Sequence, residues 1–506
     1  MISIWILLLT IAAKLTAVIK DVIFAGAFGA GVDSDAYFIA NQLPGIVWLS
    51  IYGTIVAVFL PQYVQAMANP AAAARLANQT VRFYAYAAVV LAAMCWLAAE
   101  WLVLLIAPAA DQPTRDLATQ LTRIMVLGFV LTGYVGVQSA IQQAHRSFLP
   151  PLAVPVINNA IATGAVVLAW LWSDVTIAVI GAVSAYLVQA VIQRTQTRRF
   201  YRTEWSWRVS ADVWKRLSLL SGPVLLAVVL DQVNLLVANA LASGFGTGAI
   251  SQLNYASRLT LLVAGVFSFL VSYLFFPALA SHASKGEDAA NARLLARALG
   301  MILTVTAPVA AAAMAMRSDI ISLIYARGAF STDNVTVTAG LFGLLGLGII
   351  FISMRELLNR LFFSYQKTSY PLIIGLSAVS VNIGSSIFLS RQFGIFGIAA
   401  GSSISAAFFF AGQIILILLW KPHLLSRDIA TYFISACGAA AGAFMVGSAL
   451  AEALAYLALP IRLIAGSMAI MAIYALLLIL LLLICGMSPP RFVQKMRGTA
   501  PNASNM

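Results

Sequence analysis

Charge is scarce in this chain. Only 9% of its 506 residues are Asp, Glu, Lys or Arg, and it holds just 17 acidic side chains, three histidines and three cysteines. So little charge excludes the solvated surface of a soluble globular protein. The cysteines (Cys95, Cys437, Cys485) fall in apolar stretches without metal-ligand spacing, so they read as small buried hydrophobes and imply no disulfide. The histidines (His145, His282, His423) lie in or beside inter-helix loops. No Ser/His/Asp or Cys/His set, metal cluster or phosphate-cradling loop is apparent, and the reading is of a protein that is not an enzyme and needs no cofactor. The opening apolar run lacks a basic leader and is interrupted by Lys14, so a retained first helix is expected rather than a signal peptide.

What the chain has in abundance is apolar length. Hydrophobic residues make up 62% of it, and mean hydropathy is +0.94. Continuous runs of about 20 residues recur from end to end, which predicts membrane-spanning helices and argues against the alternating strands of a barrel. Breaks at polar residues, Pro and Gly predict about fourteen spans: 3–25, 34–66, 82–108, 120–144, 152–172, 175–195, 216–242, 249–280, 294–316, 336–363, 370–390, 394–420, 429–450 and 461–486. The net charge of +13 is spread over alternate loops, which marks topology and not a nucleic-acid surface. The rich set includes Arg75, Arg146, Arg194, Arg198, Arg199, Arg202, Arg208, Lys215, Arg216, Lys367, Lys421, Arg427, Arg491, Lys495 and Arg497. The opposite set is sparser (Arg115, Arg123, Arg317, Arg327, Arg391, Arg462) and is diluted by acids. The rich set is therefore expected on the cytoplasmic side, with both termini there.

The chain also repeats itself. Phe28-Gly29, Ala36-Tyr37 and Phe59-Leu60-Pro61 recur loosely as Phe245-Gly246, Asn254-Tyr255 and Phe275-Phe276-Pro277. His145 to Asn159 echoes Tyr365 to Asn382. An offset of about 220 residues equals an even number of spans, so two parallel six-helix lobes are expected. The expected divisions are 1–195 (first lobe), 196–215 (basic linker), 216–420 (second lobe) and 421–506 (two further helices and a basic tail). Repeats of this kind place a substrate site between the lobes.

Charges at helical depth are the candidate site, because each costs about 2.5 kcal/mol or more to insert. Lys14, Lys20 and Asp21 stand in the first span, ahead of the Gly-rich break Phe28-Gly29-Ala30-Gly31 and the acidic turn of Asp33 and Asp35. Lys14 and Asp21 share a stripe at seven-residue spacing. Two readings compete: Lys20 snorkels while Lys14 pairs with an acid, or both ammonium groups line an anion-receiving cavity. Arg258, in the eighth span, suits bidentate phosphate binding. Asp231, with Asn234 and Asn239 in the seventh span, reads as a counter-ion or a cation site. Glu356 and Arg360 read as an i, i+4 pair, and Asn158, Asn159 and Asn382 as interhelical hydrogen-bonding groups.

With those residues in hand, the chain resembles the MurJ (MviN) family of lipid II flippases, in the MOP flippase superfamily. The stretches that carry the likeness are Lys20 to Pro44, Ala144 to Asn159, Asn254 to Leu259, Ile324 to Ser331 and Leu358 to Pro371. The resemblance implies outward flipping, by alternating access, of an undecaprenyl-diphosphate-linked precursor across the bacterial inner membrane. It places essential basic positions on Lys14, Lys20 and Arg258, as ligands of the diphosphate, and an acidic position on Asp35. Asp35, Asp21 and Asp231 are expected to support or gate. Two positions depart from the family pattern: Trp48 replaces a basic residue, and Leu261 replaces a glutamate. The expected partners are the lipid-linked glycan and membrane lipids. The alternatives are a flippase for an exopolysaccharide or O-antigen unit, a cation-coupled multidrug antiporter, and a non-transporting scaffold.

Overall fold

The structure, a computed structural model, describes residues 2–202, 209–425 and 427–485, without the side chains of 2–7, 216, 220, 222–231, 266–273 and 427. Arg208, the tail residues Arg491, Lys495 and Arg497, and the side chains of Arg216, Asp231 and Arg427 lie outside the described residues.

Every described element is helical, as apolar runs without strand alternation require. In order they are α1 (Ile2–Phe28), α2 (Val32–Thr54), a π-helical turn (Ile55–Phe59), α3 (Leu60–Ala66), α4 (Pro70–Leu97), α5 (Ala99–Ile106) and α6 (Gln112–Met125). Then follow α7 (Phe129–Ala144), α8 (Leu149–Trp172), α9 (Val175–Thr197), α10 (Ala211–Ala242), α11 (Ala249–Ser284), α12 (Asp288–Ala315) and α13 (Arg317–Tyr325). The last are α14 (Thr332–Gly346), α15 (Ile349–Ser364), α16 (Ser369–Phe393), α17 (Ile395–Trp420), α18 (Arg427–Ala453) and α19 (Leu459–Ile484). Ten segments among the described residues are long and apolar enough to cross a membrane, and α14 with α15 forms one more, bent by 43°. The long helices α1, α10 and α11 occupy the places of the first, seventh and eighth expected spans. The expected third span starts too late, because helix begins at Pro70: Asn69 accepts hydrogen bonds from Ala71 and Ala72 N–H, 3.1 and 3.2 Å, and caps it.

The repeat is written in the backbone. The left-handed corners at Arg146 (φ 57°) and Gln366 (φ 59°) stand about 220 residues apart. Both close in the same way. Ser147 N–H donates to Gln142 O and Lys367 N–H to Phe362 O, the Schellman pattern that satisfies the last carbonyls of α7 and α15. The corners at Ser173 (φ 53°) and Gly394 (φ 60°) repeat at the same spacing. So do the helix breaks between α6 and α7 and between α14 and α15.

The chain forms two compact units. The first comprises Met1–Tyr255 and Tyr325–Asn334, and the second Ala256–Ile324 and Val335–Met506. In the first, Ile55, Phe59, Tyr63, Ala77, Phe83 and Ile141 make a buried core between the second, third and fourth spans. In the second, Leu295, Leu299, Leu357, Phe362, Tyr432 and Tyr474 join α12, α15, α18 and α19. At its basic end Asp288 accepts hydrogen bonds from Lys421 Nζ (2.6 Å), His423 Nε2 (3.0 Å) and Tyr365 Oη (2.7 Å). Burial, and then that carboxylate, push the Tyr365 phenol up to about 12. Glu356 pairs with Arg355 at 3.6 Å, while Arg360 lies over the Phe276 ring at 5.6 Å. The ion pair is therefore between neighbours, and the guanidinium of Arg360 has an aromatic face.

Candidate functional site

α1 carries both candidate lysines, and its neighbours give Lys20 polar company. Lys14 and Lys20 are both half-buried. Asp21 is buried, and its Oδ1 lies 3.4 Å from Lys20 Nζ. The stripe shared by Lys14 and Asp21 thus gives way to an ion pair between adjacent residues. Lys20 also lines a small polar cavity of ≈ 80 Å³ within the first unit, together with Tyr37, Asn41, Asn158, Asn159 and Tyr186. Asn159 Nδ2 donates to Ala13 O (3.0 Å) and Thr16 Oγ1 (3.3 Å), which ties α8 to α1 just beneath that cavity. Asn159 is thus an interhelical hydrogen-bonding group, as its sequence context suggested. Asn382 lies on α16, where its Oδ1 accepts from Ser386 Oγ at 3.1 Å.

Asp35 closes the end of α1–α2. Its carboxylate is 2% exposed and accepts from Gly248 N–H (2.6 Å), Ser251 N–H (2.7 Å) and Ser251 Oγ–H (2.5 Å). Those donors stand at the start of α11, where unpaired N–H groups and the helix dipole favour an anion. Two glycines let the backbones meet there. A Cβ on Gly248 (φ 92°) would lie 2.7 Å from Ala30 O, and one on Gly29 (φ 61°) would lie 2.4 Å from Ala329 O. Ala329 N–H donates to Gly26 O (2.8 Å), and Tyr255 Oη–H to Gly29 O (3.1 Å). Phe38, Tyr325 and Phe330 pack round Tyr255, with ring centroids 5.0 to 5.6 Å apart. Below them Asn239 Nδ2 donates to Gln42 Oε1 (2.5 Å) and Asn254 Nδ2 to Asn239 Oδ1 (3.1 Å).

The remaining expected residues fall elsewhere. Arg258 is half-buried on α11 and belongs to the second unit. Asp231 is on α10, with its side chain outside the described residues. Trp48 stacks on Tyr52, ring centroids 5.7 Å apart, and meets Tyr186 at 5.9 Å. Trp48 thus stands in an aromatic cluster with Tyr52 and Tyr186. Leu261 is 58% exposed. Sequence reasoning missed Gly248, Ser251 and Tyr255 as partners of the α1–α2 turn. The signal was available in Phe245-Gly246-Thr247-Gly248, a second Gly-rich break ahead of a helix.

The chain matches the family described as "Lipid II flippase MurJ" over residues 24–465. It is 28% identical to a probable lipid II flippase MurJ of Rhizobium meliloti (strain 1021), over 83% of this chain and 80% of that one. It is 26% identical to a protein of the same name from Rhizobium tropici, over 82% and 80%. Among solved structures it is similar in fold to a lipid II flippase MurJ in an inward closed conformation, at TM-score 0.81 and 19% identity, covering 94% of this chain and 99% of that one. An inward-facing multidrug resistance MATE family transporter of the MOP superfamily shares the fold at TM-score 0.70 and 12% identity, covering 81% and 94%. With the matched region reaching from the end of α1 into α19, the chain belongs to the lipid II flippase MurJ family.

Proposed function

We propose that this protein is an inner-membrane flippase that moves lipid II outward by alternating access, and that it is a carrier without catalytic chemistry. The observation that carries the reading is membership of the lipid II flippase MurJ family over residues 24–465. The intramembrane cations agree with it, since a diphosphate calls for positive partners where water is scarce. In this reading Lys14, Lys20 and Arg258 receive the diphosphate, and the polyprenyl chain stays in lipid. Asp21 balances Lys20 between cycles, and Asp231 supplies a further counter-ion. Asp35 holds the α1–α2 turn on the start of α11, and that contact is released when the outer end opens. The two pseudo-symmetric lobes are 1–195 and 216–420, joined by 196–215 and followed by 421–506 with the last two helices. Both termini face the cytoplasm, on the side of the basic loops.

The test is transport of labelled lipid II in proteoliposomes, with an undecaprenyl-diphosphate oligosaccharide lacking the peptide measured alongside. Movement of lipid II is the expected result. Failure of folded protein to move it would overturn the assignment. A second reading, flipping of another lipid-linked glycan, is favoured by one observation: Trp48 stands in an aromatic cluster where the family has a basic residue. Movement of the oligosaccharide alone would establish it.

A further inference from the structure

The interface of α7 with α9 is unusually polar for the inside of a membrane protein. Gln138, Ser139, Gln142, Gln189, Gln193 and Thr197 are all at most 3% exposed. Some of their hydrogen bonds are made. Gln193 Nε2 donates to Ser139 Oγ (2.9 Å), Thr197 Oγ1 to Gln138 Oε1 (2.6 Å), and Gln138 Nε2 to Tyr201 Oη (2.7 Å). Others are not. Both amide atoms of Gln189, and the Oε1 atoms of Gln142 and Gln193, are buried without a protein partner. A buried polar group left that way costs about 1–3 kcal/mol, and such groups ordinarily hold water.

Helix packing alone does not explain the seam, because the second repeat shows what packing needs. Its α15–α17 interface keeps one equivalent bond, Gln413 Nε2 to Asn359 Oδ1 at 2.7 Å. At the positions matching Gln138, Gln142, Gln189 and Thr197 it has Leu358, Phe362, Phe409 and Ile417. That single pair, with Gln413 Oε1 also left without a partner, is all the amide chemistry those matching positions hold.

The first seam also leads somewhere. At one end lie Arg194, in the last turn of α9, and Tyr201, in the basic loop that follows, with the guanidinium 5.6 Å from the ring. Gln193 and Gln189 follow along α9 at four-residue spacing, on one face. One turn beyond Gln189 is Tyr186, which lines the polar cavity that holds the Lys20 side chain.

We propose that water occupies this seam and forms a hydrated route from the basic face of the protein to the cavity at Lys20. The route solvates the Lys20–Asp21 pair from within the first unit and lets water and protons reach a charge that would otherwise sit in a dry interior. The proposal rests on Lys20 being part of the transport site, but its test needs no transport. In a variant lacking Cys95, Cys437 and Cys485, Gln189→Cys is exposed to a membrane-impermeant cationic thiosulfonate, in sealed vesicles that present the basic face. Modification of Cys at 189 is expected, together with its loss when Gln142→Leu and Gln193→Leu are added. Leu358→Cys, a fully buried position of the second repeat's interface, is expected to stay unmodified. Equal protection at 189 and 358 would overturn the route. Where the cysteine variants do not fold, hydroxyl-radical footprinting of the unaltered protein decides. Oxidation of the buried seam residue Tyr201 well above that of equally buried Tyr474 supports the route, and equal protection of the two rejects it.

Discussion

The two repeats meet the same structural demand with different chemistry. At the basic-side corners, His145 and Tyr365 occupy matching positions beside matching left-handed residues. Tyr365 is bound into a charged knot with Asp288, Lys421 and Asn291. His145 instead stacks on Phe200, centroids 4.0 Å apart, with Nε2 3.4 Å from Tyr63 Oη. Deeper in, the first repeat has a seam of buried amides where the second has Leu358, Phe362 and Phe409. The second repeat is therefore the internal control. What both copies share is needed to pack a three-helix layer, and what only the first possesses calls for another explanation.

The largest expected effect is at Asp35, and the comparison is with Gln252 on α11, whose Nε2 donates to Asn334 Oδ1 at 3.0 Å. Asp35→Ala leaves two backbone N–H groups and a hydroxyl without their acceptor, and is expected to cost about 3 kcal/mol. Thermal unfolding in detergent should show that loss, and flipping should fall with it. Gln252→Ala should cost about 1 kcal/mol. Equal effects would mean that Asp35 is not a closure.

Next in size are the transport charges. Arg258→Ala and Lys20→Ala should abolish lipid II flipping in proteoliposomes while membrane insertion is retained, and unchanged flipping by either would remove that residue from the site. Lys20→Arg should preserve transport, because charge is kept and the fork is gained.

A smaller, pH-dependent difference separates the corners. Burial, and then the neighbouring Arg199, hold the His145 imidazole below its ordinary value. The folded protein therefore binds this proton less readily than the unfolded chain. Its stability contribution is present above the unfolded value of about 6.5 and is lost as pH falls through that value toward the lower folded one. Unfolding temperature measured from pH 7.5 to 5 (about one unit above and about one and a half below the ordinary histidine value) should fall more in the native protein than in His145→Phe. Identical profiles would sink the assignment.

The smallest expected effect is at the interhelical bond both repeats share, Gln413 to Asn359 in the second. Gln413→Leu should cost about 0.6 kcal/mol, the usual worth of an interhelical hydrogen bond in a membrane protein. A much larger loss would mean that the second seam is not merely packing.

Much of the fold was legible because the membrane makes it so. A bilayer leaves no water for backbone groups, so each apolar run of sufficient length must be a helix, and loop charge follows the same logic. The offset between repeats could be read from Phe-Gly breaks and the Asn-ending motifs. Less legible were the elements that make no long run: α5 and α13, and the π turn in the second span. The lysines of α1 and Arg258 stood out by the cost of burying charge. The partners of Asp35 and Gly29 did not, because Ser251, Gly248 and Tyr255 are ordinary residues far along the chain that only folding brings to them.

By itself, then, the sequence determined the helical class, the repeat and the presence of cations at membrane depth. Each follows from transfer free energies that depend on local composition. The tertiary structure alone decided that Asp21 pairs with Lys20, that Asp35 anchors the start of α11, and that the glutamines of α7 and α9 face each other with oxygens left over. Side-chain partnership depends on which helix faces meet, and hydropathy along the chain carries no record of that.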